Sequence, residues 1–228
     1  MQPNVQYGSH ADAIGVQQQK VLRNTYLLLA LTMVPTVIGA FIGMATAGIV
    51  YQHPILTSLV LLGAMIGLQY AIAANRNSGL GLVLLLTLTF ILGWWLGPTL
   101  NIALSLRNGP QLIGLAAAGT GGILLVMSAI ATTTKRDFSF MGKFLFVGMM
   151  VLLVAAIANM FLQIPALALT ISCLAIAVFS MFLLHDVSRI VTGGETNYIM
   201  AATGVYISLW AIFVHLLHLL MALAGQRE

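Results

Sequence analysis

The stretch HDVSRIVTGGETNYIMAATGVYISLWAIFVHLLHLLMAL, His185 to Leu223, decides how this chain is built. Its second part, Tyr198 to Leu223, is long and apolar enough to cross a bilayer, yet it carries Thr203, Tyr206, Ser208, Trp210, His215 and His218. In hydrocarbon such groups are costly unless they face protein or water, so this helix belongs in the interior of a bundle and not at its lipid-facing edge. Its first part, His185 to Tyr198, is the hinge that feeds it. Gly193 and Gly194 permit a sharp reversal. Glu195 places a negative charge near the start of the next helix, where the dipole favours it. Thr196 or Asn197 is positioned to act as N-cap before Tyr198.

Working outward, composition gives the same answer. Hydrophobic residues make up 60% of the 228 positions and charged residues 6%, against roughly 25% charged in soluble domains. A span needs about 20 mostly apolar residues. Seven stretches qualify: Tyr26 to Ile49, Ile55 to Ala74, Leu80 to Leu100, Gln111 to Thr132, Lys143 to Leu162, Pro165 to Leu184, and Tyr198 to Leu223. The first is too long for the apolar core of a signal peptide and lacks a cleavage site before a soluble domain. The expected fold is therefore an all-α integral membrane bundle of seven transmembrane helices. Residues 1 to 19 are polar and lack a periodic apolar face, which predicts a disordered tail. Residues 20–224 form the membrane domain, and residues 225–228 a short external tail.

With seven spans, Lys20, Arg23, Arg76, Lys135, Arg136, Lys143 and Arg189 fall on one side and only Arg107 and Arg227 on the other. The positive-inside rule then puts the N-terminus in the cytoplasm and the C-terminus outside. Loops facing anionic headgroups account for the net charge of +4, and no cluster of bases is interleaved with aromatics, so nucleic acid is not an expected partner. The lipid bilayer is. Cys173 is the single cysteine and reads as a small packing residue. Pro35 should kink the first span, and Gly39 with Gly43 allows close helix approach. Gly97 and Pro98 should break or bend the third span. The small-residue run Ala116 to Gly122 is expected to pack backbone against backbone near the bundle axis.

So few charges are present that any chemistry can be located by enumeration. Asp186 lies about 21 residues into the run from Pro165, roughly 31 Å from its other end and near the inner boundary. Its functional reading is a proton-sensitive latch or ion ligand, the inner gate of a leak path; the plainer reading is an interfacial carboxylate paired with Arg189 or Arg76. Arg76 is most simply a membrane anchor. His185 titrates near neutrality but sits about 100 degrees from Asp186 around a helix, so the two need not share a face. His215 and His218 are three apart and on one face. They suit interhelical hydrogen bonding or pH sensing better than metal binding, since only His53 stands on that side as a further ligand. Neither an HExxH zinc site nor a GxSxG elbow nor a phosphate-binding loop is present, so no enzyme, metal or cofactor is expected.

KVLRNTY at Lys20 to Tyr26, GPTLN at Gly97 to Asn101, NMFLQIPAL at Asn159 to Leu167 and above all GGETNYI at Gly193 to Ile199 give the chain its kinship. It resembles the Bax-inhibitor family, also called the transmembrane Bax inhibitor motif family, and within it the bacterial YccA-like branch. The resemblance covers Lys20 to Leu220. It implies a seventh helix held centrally by the other six. Calcium-leak members carry one aspartate late in the sixth span and another in the seventh; Asp186 matches the first position, and Ser208 stands at the second. A carboxylate facing a hydroxyl lacks the shared proton of two close carboxylates. YccA-like members are associated with the inner-membrane FtsH protease and its HflK and HflC partners. The resemblance thus implies a modulator and substrate of that protease, with a pH-sensitive calcium, cation or proton leak through Asp186, Ser208, Arg76 and Arg189 as the alternative.

Overall fold

The computed structural model describes the backbone of residues 7–134 and 136–225, and side chains from Val16 onward except at position 135. Eight helices follow one another: α1 (Tyr7–Ala45), α2 (Ala47–Gln52), α3 (Pro54–Ala74), α4 (Gly79–Ser105), α5 (Gly109–Thr134), α6 (Met141–Leu162), α7 (Pro165–Val191) and α8 (Tyr198–Gly225). All but the short α2 are long and apolar enough to span a membrane, which gives the 7 spans expected. The ends at which Arg76, Lys143 and Arg189 lie gather at one pole of the bundle, called here the basic end.

Several boundaries differ from expectation: α1 ends at Ala45 and the short α2 follows, and α7 runs past Leu184 to Val191. The chain from Tyr7 to Gln19, expected to be structureless, is helical and continuous with the first span; residues 1–6 lie outside the described residues. No proline interrupts residues 7–34, and extending an existing helix costs far less than starting one. The helix α4 also runs through Pro98 to Ser105. Its outer turn is held from outside, because Asn101 Nδ2 donates to the Met44 carbonyl at 2.9 Å and Tyr51 Oη to the Pro98 carbonyl at 3.1 Å.

The closest packing joins α1 to α4. A methyl group at Gly39 or Gly43 would run into the backbone of Phe90 or Trp94, and one at Gly93 or Gly97 into that of Thr36 or Gly43. Glycines on both helices thus let the backbones touch, the arrangement that small residues permit where lipid offers no hydrophobic drive. In the run Ala116 to Gly122, expected to do this, Ala116 and Thr120 are buried but the glycines make no such contact. Gly121 and Gly122 face open space, and Gly119 meets only the Leu216 side chain, at 3.2 Å. Small residues license close approach but do not choose the partner.

The last helix is central, with one correction. α8 packs on α7, α5, α1, α4 and α3, whereas α6 rests chiefly on α7. Phe144 and Val151 of α6 stay 76% and 63% exposed, so this helix lies on a lipid-facing flank of the bundle. The core joins Leu85, Leu88 and Leu92 of α4 to Ala202, Val205 and Tyr206 of α8 and Leu183 and Val187 of α7.

Candidate functional site

The polar groups of α7 and α8 converge at the basic end, and local chemistry explains each position. α7 stops at Thr192, whose N–H and hydroxyl both donate to the Ser188 carbonyl, at 2.8 and 2.9 Å. Gly193 follows with φ +82, a backbone that side-chain-bearing residues adopt at a cost. The Glu195 N–H then donates to the Arg189 carbonyl at 3.0 Å. Arg189 Nη2 reaches back to the Gly194 carbonyl at 3.2 Å and to Glu195 Oε2 at 3.5 Å. The arginine therefore clamps its own hinge and does not pair with Asp186. A spacing of three placed it on the right face, but the reversing chain offers it nearer acceptors.

Asn197 is the N-cap, and Thr196 is not. Its Oδ1 accepts the Ile199 and Met200 N–H groups at 3.0 and 3.1 Å, and its own N–H donates to Glu195 Oε1 at 3.0 Å. Its Nδ2 does a second job, donating to the Arg76 carbonyl at 2.8 Å and to Asn77 Oδ1 at 2.9 Å. One side chain thus starts α8 and ties it to the α3–α4 turn. Tyr198 opens the helix. The guanidinium of Arg76 is exposed, and among the described residues no carboxylate pairs with it. Its expected approach to Asp186 is not seen.

Asp186 instead turns toward its neighbours. His185 Nδ1 lies 3.0 Å from Asp186 Oδ1, the reach of an Nδ1–H donated to a carboxylate. Adjacent side chains on a helix diverge at Cβ, and these two curl back at their tips. The other carboxylate oxygen is seated on α8: a Cβ placed on Gly204 would be 2.7 Å from Asp186 Oδ2. The far nitrogen of His185 is seated on α6 in the same way, 2.9 Å from where a Cβ would stand on Gly142. The His185–Asp186 couple therefore wedges between the start of α6 and the first turns of α8. Ser208, buried, lies one turn beyond Gly204, and no hydrogen bond joins it to Asp186 among the described residues.

The α5–α6 connection closes the same pole. Ser188 Oγ donates to the Arg136 carbonyl at 2.8 Å and accepts the Phe138 N–H at 3.2 Å. Asp137 Oδ1 accepts the Ser139 N–H at 2.8 Å. Hydrogen bonds from Ser139, with smaller contributions from the charges of His185 and Arg189, hold the Asp137 carboxyl below its ordinary range.

Deeper in the bundle Tyr206, Trp210 and His215 of α8 have partners. The Tyr206 hydroxyl pairs with Thr36 Oγ1 at 2.7 Å and reaches the Thr89 carbonyl at 3.4 Å. Trp210 Nε1 donates to the Leu92 carbonyl at 3.1 Å. His215 Nδ1 lies 3.2 Å from Ser172 Oγ, and the His218 ring sits edge-on to His215 at 6.2 Å and faces outward. Among the described residues no three His, Cys, Asp or Glu side chains gather as a metal site. Gly142, Gly204, Ser188 and Thr36 had no role in the sequence reading. Only Gly204 offered a readable hint, a small residue one turn from Ser208.

The sequence profile described as "Inhibitor of apoptosis-promoting Bax1" matches residues 18–225. A membrane protein of Vibrio cholerae is 41% identical over 205 residues, 90% of this chain and 90% of its own length. The Modulator of FtsH protease YccA of Escherichia coli K12 is 40% identical over 212 residues, 93% of this chain and 94% of its own. The Inner membrane protein YccA of Escherichia coli O6:H1 matches with the same identity and extent. With seven spans, a buried last helix and a family profile matched along nearly the whole chain, this protein belongs to the Bax-inhibitor family.

Proposed function

We propose that this protein sits in the inner membrane, modulates an FtsH-type protease by binding it, and is itself a substrate of that protease. One observation carries the reading: 40% identity over 93% of the chain to a protein named Modulator of FtsH protease. The basic end, which carries Lys20, Arg23, Arg76, Arg136, Lys143 and Arg189, faces the cytoplasm by the positive-inside rule. The segment Met1 to Gln19 is then on the side of the protease's cytoplasmic machinery and is the grip for degradation. HflK and HflC join as part of the same assembly. Two assays test this. In liposomes holding the protease and a membrane substrate, adding this chain should slow substrate turnover, and unchanged turnover overturns modulation. Removing residues 2–19 should lengthen the protein's lifetime in protease-containing cells, and an unchanged lifetime overturns the grip.

A second reading, a calcium or proton leak along α8, is favoured by the seating of the Asp186 carboxylate on Gly204 one turn from buried Ser208. Dye-loaded liposomes separate the two. Flux lost on Asp186→Asn supports the leak, and no flux above empty liposomes removes it.

A further inference from the structure

A recess of about 370 Å³ opens at the basic end between the α3–α4 turn and the start of α8, within the roughly 300–1,000 Å³ of small-ligand sites. Its rim is polar: Arg76, Ser78 and Thr196. Its floor is apolar: Leu82 and Ile199. Arg76 brings the only charge to the recess, and no carboxylate pairs with it among the described residues. This contrasts with Arg189, whose fork is already engaged by Gly194 and Glu195. At the start of α4 Ser78 turns its hydroxyl to the Asn75 carbonyl at 3.0 Å and makes no side-chain cap, and the Gly81 N–H donates to the Ser78 carbonyl at 3.1 Å.

We propose that this recess binds the phosphate of an anionic phospholipid headgroup. Arg76 supplies the charge and a two-pronged donor suited to phosphate oxygens. The Thr196 hydroxyl completes the polar rim, and Leu82 meets the first methylenes of the acyl chains. The position fits: Arg76 stands just outside the apolar run that begins at Leu80, at the depth of a headgroup. Occupancy bears on α8 directly, since Asn197, which lines the same recess, caps that helix and holds the Arg76 carbonyl. A bound phosphate braces the α3–α4 turn against the last helix and stiffens the joint.

The test uses the full-length protein in detergent micelles, titrated with phosphatidylglycerol or phosphatidylcholine and read by native mass spectrometry and thermal shift. The parent should bind and be stabilised by phosphatidylglycerol in preference to phosphatidylcholine. Arg76→Gln should weaken phosphatidylglycerol binding about tenfold, as loss of one charge-assisted pair predicts. Arg76→Lys should keep part of it, and Lys143→Gln, a charge removed at the same pole outside the recess, should change it less than about twofold. Thr196→Val gives a milder loss and serves if Arg76→Gln fails to fold. Millimolar inorganic phosphate is the further arm. Arg76-dependent competition supports phosphate recognition with free phosphate as a source, and Arg76-dependent lipid binding without competition supports the lipid alone. Equal binding by parent and Arg76→Gln, or equal losses in Arg76→Gln and Lys143→Gln, overturns the site.

Discussion

The two halves of α8 are built on different terms. From Tyr198 to Ile212 nearly every turn buries a residue: Ile199, Ala202, Val205, Tyr206, Leu209 and Ile212, with Thr203 and Ser208 among them. This half is capped by Asn197, carries the seat of Asp186 at Gly204 and anchors Tyr206 and Trp210 on α4. Beyond Ile212, among the described residues, only Leu217 is buried, and the polar contacts reduce to His215 with Ser172. Apolar packing is a weak drive between helices in lipid, so close backbones and satisfied polar groups set which half is fixed. The half at the basic end is the one fixed by polar contacts, and the remainder packs through Leu217 on Ala103, Leu112 and Ala116.

The largest effect should come from Gly204→Leu. Its side chain takes the space of Asp186 Oδ2, adding overpacking of about 1–3 kcal/mol to the cost of displacing a partly buried carboxylate. The expected readout is a sharp loss of monodisperse protein and of thermal stability, with Gly204→Ala milder. Asn197→Ala should follow at about 1–2 kcal/mol, since it removes an N-cap and the tie to the α3–α4 turn together. Denaturant titration of the purified protein checks it. Tyr206→Phe removes a hydroxyl held by Thr36 and should cost about 0.5–1.5 kcal/mol by the same titration. His218→Ala, on the exposed side of the other half, should stay within about 0.5 kcal/mol. A cost equal to that of Asn197→Ala would erase the distinction between the halves.

Asp137→Asn should be smallest and pH-dependent. The folded carboxyl lies below its ordinary value, so its contribution is present above that value and fades as pH falls through the lowered one. Melting temperatures of parent and Asp137→Asn should therefore converge on acidification through that window.

Much of the architecture could be read before any coordinates. Sparse charge and seven apolar runs defined the spans, and Tyr206, Ser208 and Trp210 marked the last helix as interior, because hydrocarbon penalises them elsewhere. The hinge was legible too, since Gly193 and an Asn cap have few other uses at a helix start. What escaped the sequence was choice of partner. Gly39 and Gly43 announced close approach but not that α4 would answer with Gly93 and Gly97. Arg189 by spacing and Arg76 by its place at an inner helix end were both candidates to meet Asp186, yet the hinge took one and the other lines the recess. The flanking position of α6 was equally hidden, because an apolar span reads the same whether lipid or protein faces it.

The seat of Asp186 on α8 distinguishes this arrangement most directly, and cysteine pairing in membranes reads it. In a Cys173→Ser background, Asp186→Cys with Gly204→Cys should form a disulfide under mild oxidation faster than Asp186→Cys with Ser208→Cys. Faster pairing at 208, or none at 204 while both single thiols react with a maleimide, would show that Asp186 is seated elsewhere on the last helix.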